Sequence, residues 1–216
     1  MNQQPFEEFE NELTDIEEGK LLYQIWFQPK ETLKYILKNC PEKYMIVLFM
    51  LGGIVDAISR ASDKGLGDSR STLSVLLIAF LFGGIFGLIT NFIYAWALSV
   101  TGQWLKGKAN ASKFRTVIAW SLVPSIASLF LIIPELIILG DDLFKSEPIV
   151  DTAVNSIAWF IFGIMEITLG VWTIIILVKG IAMVQNFTIG KAILNMILPI
   201  LIILAPLMLL LLIVSI

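Results

Sequence analysis

Histidine is missing from the 216 residues. Its absence removes the commonest general base and the commonest transition-metal ligand. Only one cysteine is present, Cys40, so neither an internal disulfide nor a thiolate cluster is available. No Walker loop, HExxH or GxSxG occurs. Without histidine an intramembrane hydrolase would need an unusual acid or Ser-Lys pair, and nothing in the chain suggests one. Charge is also scarce: Asp, Glu, Lys and Arg are 15% of residues, against about 25% in a soluble domain. These absences argue against an enzyme, a metal site, a cofactor and a nucleic-acid partner.

Hydrophobic residues, by contrast, reach 57%, where a soluble domain carries about 45–50%. Five long apolar runs hold most of them: Tyr44–Ser59, Leu73–Val100, Thr116–Leu139, Thr152–Val178 and Ala192–Ile216. A run of ~18 or more apolar residues matches a hydrocarbon core of ~30 Å as a helix. The expectation is an all-α membrane protein, a five-helix transmembrane bundle with an N-terminal interfacial amphipathic helix. Its spans fall at about 44–60, 73–100, 116–139, 152–178 and 192–215 of the domain 44–216. Span 1 is short, its core run reaching only ~24 Å at 1.5 Å per residue, and needs extension or bilayer thinning. Pro124 and Pro134 in span 3, and Pro199 and Pro206 in span 5, each remove a helical hydrogen bond. Both spans should kink or break there.

Residues 1–20 are acidic and lack an apolar signal core, so span 1 is expected to act as its own insertion signal. Phe6, Phe9, Leu13 and Ile16 recur at helical spacing, compatible with a short amphipathic helix or a solvated tail. Residues 21–43 form the interfacial segment. Pro29 suits a helix start, and Leu33, Ile36, Leu37 and Cys40 fall on one face. Trp26 and Tyr35 favour the headgroup level, while Lys34 and Lys38 can snorkel. The alternative is a helix packed on the protein's own loops. Cys40, just before span 1, is placed for reversible acylation or is a thiol without a role.

Lysine and arginine orient the spans. Lys20, Lys30, Lys34, Lys38, Lys43, Lys106, Lys108, Lys113, Arg115, Lys179 and Lys191 lie on one side, against Arg60, Lys64, Arg70 and Lys145 on the other. The N-terminus is therefore expected in the cytoplasm and the C-terminus outside. Lys106, Lys108, Lys113 and Arg115, with Trp26, Lys34 and Lys38, form a candidate surface for lipid headgroups, although positive-inside topology alone accounts for the loop cations. Lys106-Gly107 precedes Phe114 as Lys179-Gly180 precedes Phe187, each phenylalanine seven residues after the glycine. Spans 2–3 and 4–5 are parallel repeats on this reading, or a chance likeness of short loops.

Ionisable groups within hydrocarbon are candidate functional residues, because burying them costs about 2.5–3.5 kcal/mol on insertion scales. Glu166 lies mid-span and should face the bundle, protonated or paired with Asn91, Ser121 or Ser125. It is either a proton or cation site or a structural hydrogen-bond node. Asp56 and Glu135 complete the candidate intramembrane polar site with Asn91, although interfacial exposure also explains both acids. Gly83 and Gly87 form a GxxxG that lets helices approach closely, within the monomer or in a homodimer.

Three stretches carry a family resemblance. They are Ile25-Trp26-Phe27-Gln28-Pro29-Lys30-Glu31-Thr32, then Gly107-Lys108-Ala109-Asn110-Ala111-Ser112-Lys113-Phe114-Arg115 with Ala119 to Pro124, then Gly180-Ile181-Ala182-Met183-Val184-Gln185-Asn186-Phe187 ending in Gly190-Lys191-Ala192. In order and spacing they resemble the Yip domain family, membrane proteins named for interaction with Ypt/Rab GTPases. The resemblance implies five spans and a cytosolic N-terminus. The Asp-Leu-Tyr-Gly-Pro segment of the eukaryotic members is absent, so Rab GTPase binding is not carried over. The chain is more similar to the short prokaryotic members, which places it in a prokaryotic cell membrane. The expected partners are membrane lipids, with other membrane proteins or a second copy of the chain as further candidates. The leading function is non-enzymatic organisation of membrane or recruitment of partners. The alternative is a transporter or lipid-translocating protein using Glu166.

Overall fold

A computed structural model describes residues 16–147 and 152–214, with no side-chain description at 203 and 205–214. The tail helix expected around Phe6, Phe9 and Leu13 lies outside those residues. All elements among the described residues are helical. In chain order they are α1 (Leu21–Phe27), α2 (Pro29–Asn39), α3 (Met45–Asp63), α4 (Thr72–Ile78), a π-turn (Ala79–Gly83), α5 (Gly84–Trp104), α6 (Ala111–Ser121), α7 (Val123–Ala127), α8 (Ile132–Leu139), α9 (Ala153–Gln185) and α10 (Ile189–Val214), with short 3-10 turns between some of them.

Among the described residues, four stretches are long and apolar enough to cross a membrane: Met45–Asp63, Thr72–Trp104, Ala111–Phe144 and Ala153–Gln185. A fifth apolar helix is α10, with Ile189–Ile202 as the part whose apolar character is described. The protein is thus an all-α membrane protein. Span 1 is longer than its apolar run, because α3 continues through Arg60 to Asp63, and its 19 residues rise about 28 Å. Span 3 breaks at its prolines into α6, α7, a 3-10 turn and α8. The break leaves the Ser125 N–H without a helical partner, and the Thr173 hydroxyl accepts it at 3.1 Å. A neighbouring hydroxyl is a usual solution where water is absent. Helix α10 departs from expectation and runs through Pro199 and Pro206 as one helix.

Residues cluster into two compact units. The first holds the described parts of Met1–Lys43 and Ile176–Ile216 together with Phe92–Ile118. Phe114, Leu21, Ile25, Leu33, Ile36, Leu98, Ile176 and Ile181 are its largest buried side chains among the described residues. The long helices α5 and α9 both terminate here, and in the same way. The Gly107 N–H donates to Gly102 O at 2.8 Å, and the Phe187 N–H donates to Ala182 O at 2.9 Å. Between donor and helix stand Lys106 (φ 66°) and Asn186 (φ 54°), the left-handed residues of a Schellman stop. The structural echo therefore aligns Lys106 with Asn186. Lys179-Gly180 opens no loop; it lies inside α9. Gly180 is small because a Cβ there would press into Val117 and meet Leu33 Cδ1 at 3.1 Å.

The second unit comprises Tyr44–Asn91 and Ala119–Ile175. Phe49 and Trp120 are fully buried in it, and Tyr44 stacks obliquely on Trp120 with ring centroids 6.1 Å apart. Gly53 of α3 packs against Gly83 and Gly87 backbone to backbone. At one end, Ala61, Val75, Leu139, Leu143, Phe144 and Ala158 form a separate apolar cluster. Polar clasps hold the loops beside it. Ser62 Oγ donates to Leu143 O at 2.7 Å, Thr72 Oγ1 to Asp141, and Ser146 N to Asp68 at 3.2 Å. Lys145 pairs with Asp142 at 2.6 Å. That hydrogen bond pushes the Lys145 ammonium above its ordinary value, so the ammonium keeps its charge throughout the neutral range.

Candidate functional site

Polar residues of the second unit line three cavities that share walls. One of about 120 Å³ is bordered by Ser59, Ser62, Asp63, Glu135 and Glu166. A second, of about 210 Å³, again meets Ser59 and Glu166 and adds Ser125 and Ser128. The third, of about 360 Å³, meets Ser59 and Ser125 and adds Asp56, Thr90 and Asn91. Ser59 borders all three. Glu166, Glu135, Asp56 and Asn91 thus belong to one string of polar side chains between α3, α5, the broken third span and α9.

Their individual settings differ, and Asp56 is exposed while Glu135 is not. Glu135 is 4% exposed, so interfacial exposure does not describe it. The break at Pro134 turns it inward, and it follows that proline in the first turn of α8. Glu166 is exposed as well as cavity-lining. Helix α9 is the least enclosed of the four long apolar stretches, with 11% of its apolar window buried against 39% for α3. Of its expected partners, Ser125 shares a cavity with it. Asn91 instead donates to Gly87 O on its own helix at 2.8 Å. Asp56 accepts from Arg60 Nε one turn on, at 2.9 Å. Ser59 and Asp63 were not legible as members, because only the turn-by-turn stacking of α3 brings them under Asp56.

The first unit presents a different surface. On α1, Leu21 and Ile25 are buried while Leu22, Tyr23 and Phe27 are exposed, Phe27 at 71%. Tyr23 and Phe27 lie with ring centroids 5.1 Å apart. The face of α2 expected at a lipid interface is turned into the protein, since Leu33 and Ile36 have no exposed surface. Lys34, Lys38 and Lys113 border a groove of about 460 Å³. The other cations of this end differ. Arg115 lies over the Phe92 ring at 5.2 Å, and Lys191 Nζ donates to Leu105 O at 3.1 Å. Burial, then the charge of Glu18, raises the Cys40 thiol above its ordinary value, which keeps it in the less reactive protonated form.

Beneath that surface lies a polar knot. Gln185, the last residue of α9, is 3% exposed and accepts the Ala109 N–H at 2.8 Å. Thr101 Oγ1 donates to Asn195 Oδ1 at 3.0 Å, and Tyr94 OH donates to Met196 O at 3.0 Å. Gln185 reads as a loop residue in the sequence; the extra turns of α9 bury it.

The Yip1 domain matches residues 23–210. The chain belongs to the Yip1 domain family. No curated protein and no solved structure matches it. The Yip1 match begins at the exposed Tyr23 and takes in the lysine groove, the polar knot and all three cavities. This Yip1-domain chain is therefore a multi-pass integral membrane protein.

Proposed function

We propose that this Yip1-domain protein is non-enzymatic and organises the membrane it occupies through the outer face of its N-terminal helix. The observation that carries this is α1, which buries Leu21 and Ile25 as an anchor and leaves Leu22, Tyr23 and Phe27 outward. Amphipathic aromatic side chains settle at the headgroup level, where an inserted wedge alters packing of one leaflet. In this reading the N-terminus is cytoplasmic and the C-terminus external, as the lysines and arginines distribute, in a prokaryotic cell membrane. Removing all of residues 1–43 would strip Leu33 and Ile36 from the core, so point changes are the cleaner probe. Tyr23→Ser with Phe27→Ser should insert and melt like the parent, yet lose about 3 kcal/mol of surface attachment. Vesicles reconstituted with the parent should shrink in mean diameter by light scattering, and vesicles with the double variant should not. Equal diameters with both proteins would defeat the proposal.

A second reading, transport or lipid translocation, is favoured by Glu166 bordering two cavities. Its neighbours Glu135 and Asp63 give a proton or small cation several carboxylates along one path. Proteoliposomes should then show proton-coupled flux or lipid scrambling that Glu166→Gln lowers at least about tenfold, equivalent to ~1.4 kcal/mol. Flux no greater than in empty vesicles removes this reading.

A further inference from the structure

We infer that the cavity of about 120 Å³ in the second unit is a binding site for a primary ammonium group, held by the carboxylates of Asp63, Glu135 and Glu166 beside the rings of Trp159 and Phe162. Three elements converge on it. Helix α3 brings Ser59, Ser62 and Asp63 on one face, and α8 brings Glu135. Trp159, Phe162 and Glu166 recur along one face of α9. Glu135 is the buried member, at 4% exposed. Among the described residues its carboxylate has no hydrogen-bond or ion-pair partner. A carboxylate shut away from water is costly until a donor or a cation reaches it. Glu166 shares the cavity and carries like charge, which a cation placed between the two would offset.

The other walls decide the kind of cation. Among the described residues no three acids are placed to hold a metal ion. The volume of about 120 Å³ exceeds the ~30 Å³ share of one water, so there is room for an amine with its first carbons. Carboxylate oxygens only accept hydrogen bonds, and an ammonium offers three N–H donors. Aromatic rings attract the same cation over their faces. A quaternary ammonium would satisfy the rings and leave the acceptors without donors. Gly163, between Phe162 and Glu166, marks the open space. It borders the cavity, and a Cβ there would meet nothing within 4 Å.

The inference does not rest on transport. Binding is read with no flux measured, so vesicles without flux leave it standing. Full-length protein in neutral detergent is titrated with phosphatidylethanolamine and with phosphatidylcholine, and bound lipid is counted by native mass spectrometry. Free ethanolamine is titrated separately by calorimetry, because a lipid headgroup and a soluble amine carry the same group. The parent should retain phosphatidylethanolamine about tenfold over phosphatidylcholine, or bind ethanolamine where the source is soluble. Glu135→Gln should weaken the bound amine about tenfold. Gly163→Leu, which removes no charge, should fill the open space and weaken it about as much. Glu42→Gln, at an exposed carboxylate of the first unit, should stay within about twofold of the parent. Should Glu135→Gln lose its melting transition, Gly163→Leu alone must still show the loss. Parent-like binding by either folded variant overturns the site. So does equal retention of the two lipids with no binding of ethanolamine, since the N–H donors would then go unread. An equal loss with Glu42→Gln overturns it as well, because the protein would then be responding to net charge and not to the cavity.

Discussion

Gly53→Leu is expected to leave no correctly folded protein in detergent extracts. A Cβ at Gly53 would run into Gly83 O and Gly87 Cα, and all of these are backbone atoms that cannot rotate away. The clash is reciprocal. A Cβ at Gly83 would meet Ala57 Cβ at 2.7 Å and Gly53 O at 2.9 Å, and one at Gly87 would meet Phe49 O at 2.9 Å. Extra methylenes in a packed core cost about 1–3 kcal/mol when side chains can yield. Here the helices themselves must separate, so Gly53→Ala should cost at least ~3 kcal/mol and Gly53→Leu more. Gly84 is the internal control. Its added Cβ would find Met50 Cε at 3.5 Å, an ordinary contact, so Gly84→Ala should be near neutral. Fluorescence-detected size exclusion and melting in detergent read both. A monodisperse Gly53→Leu protein melting with the parent would refute the account, and with it the view that the Gly83/Gly87 motif is used within the chain.

That motif shows how far the sequence could be read. Gly83 and Gly87 announce a close helix approach, but GxxxG does not name its partner. Gly53 is identified only when α3 folds beside the π-turn, and nothing in Ala79–Gly83 distinguishes it from ordinary helix. Hydropathy located the spans, because apolar length is a one-dimensional property. Helix ends were less visible: α5 and α9 outrun their apolar runs to Trp104 and Gln185, since a Schellman stop depends on a left-handed residue and not on hydropathy. The prolines were equivocal for the same reason. Pro124 and Pro134 break the third span where Thr173 can satisfy a freed N–H, whereas α10 absorbs Pro199 and Pro206. Within the candidate site Glu166, Glu135, Asp56 and Asn91 were legible as polar residues in apolar runs. Which cavity each borders was not, because that depends on helix rotation, and the exposure of Glu166 follows from the peripheral place of α9.

Gln185→Ala should lower the melting temperature about as severely as any polar substitution in the chain. The side chain is 3% exposed, and its Oε1 accepts the Ala109 N–H, itself on a residue 2% exposed. Truncation leaves that donor buried without an acceptor, at about 1–3 kcal/mol, and opens a void. A total near 3 kcal/mol corresponds to a fall of roughly 6–12 °C for a protein of this size. Gln185→Leu fills the void but still orphans the donor, so it should recover only part of the loss. Gly107 supplies the decisive comparison. A Cβ there would press into Gln185 Oε1 and lie 2.8 Å from Nε2. Gly107→Ala should therefore be costly in the parent and almost free once Gln185 is alanine. A coupling of at least ~1 kcal/mol between the two changes is expected from a double-mutant cycle. Additive effects would mean that Gln185 and Gly107 do not touch, and that the α5 and α9 ends are joined by some other contact.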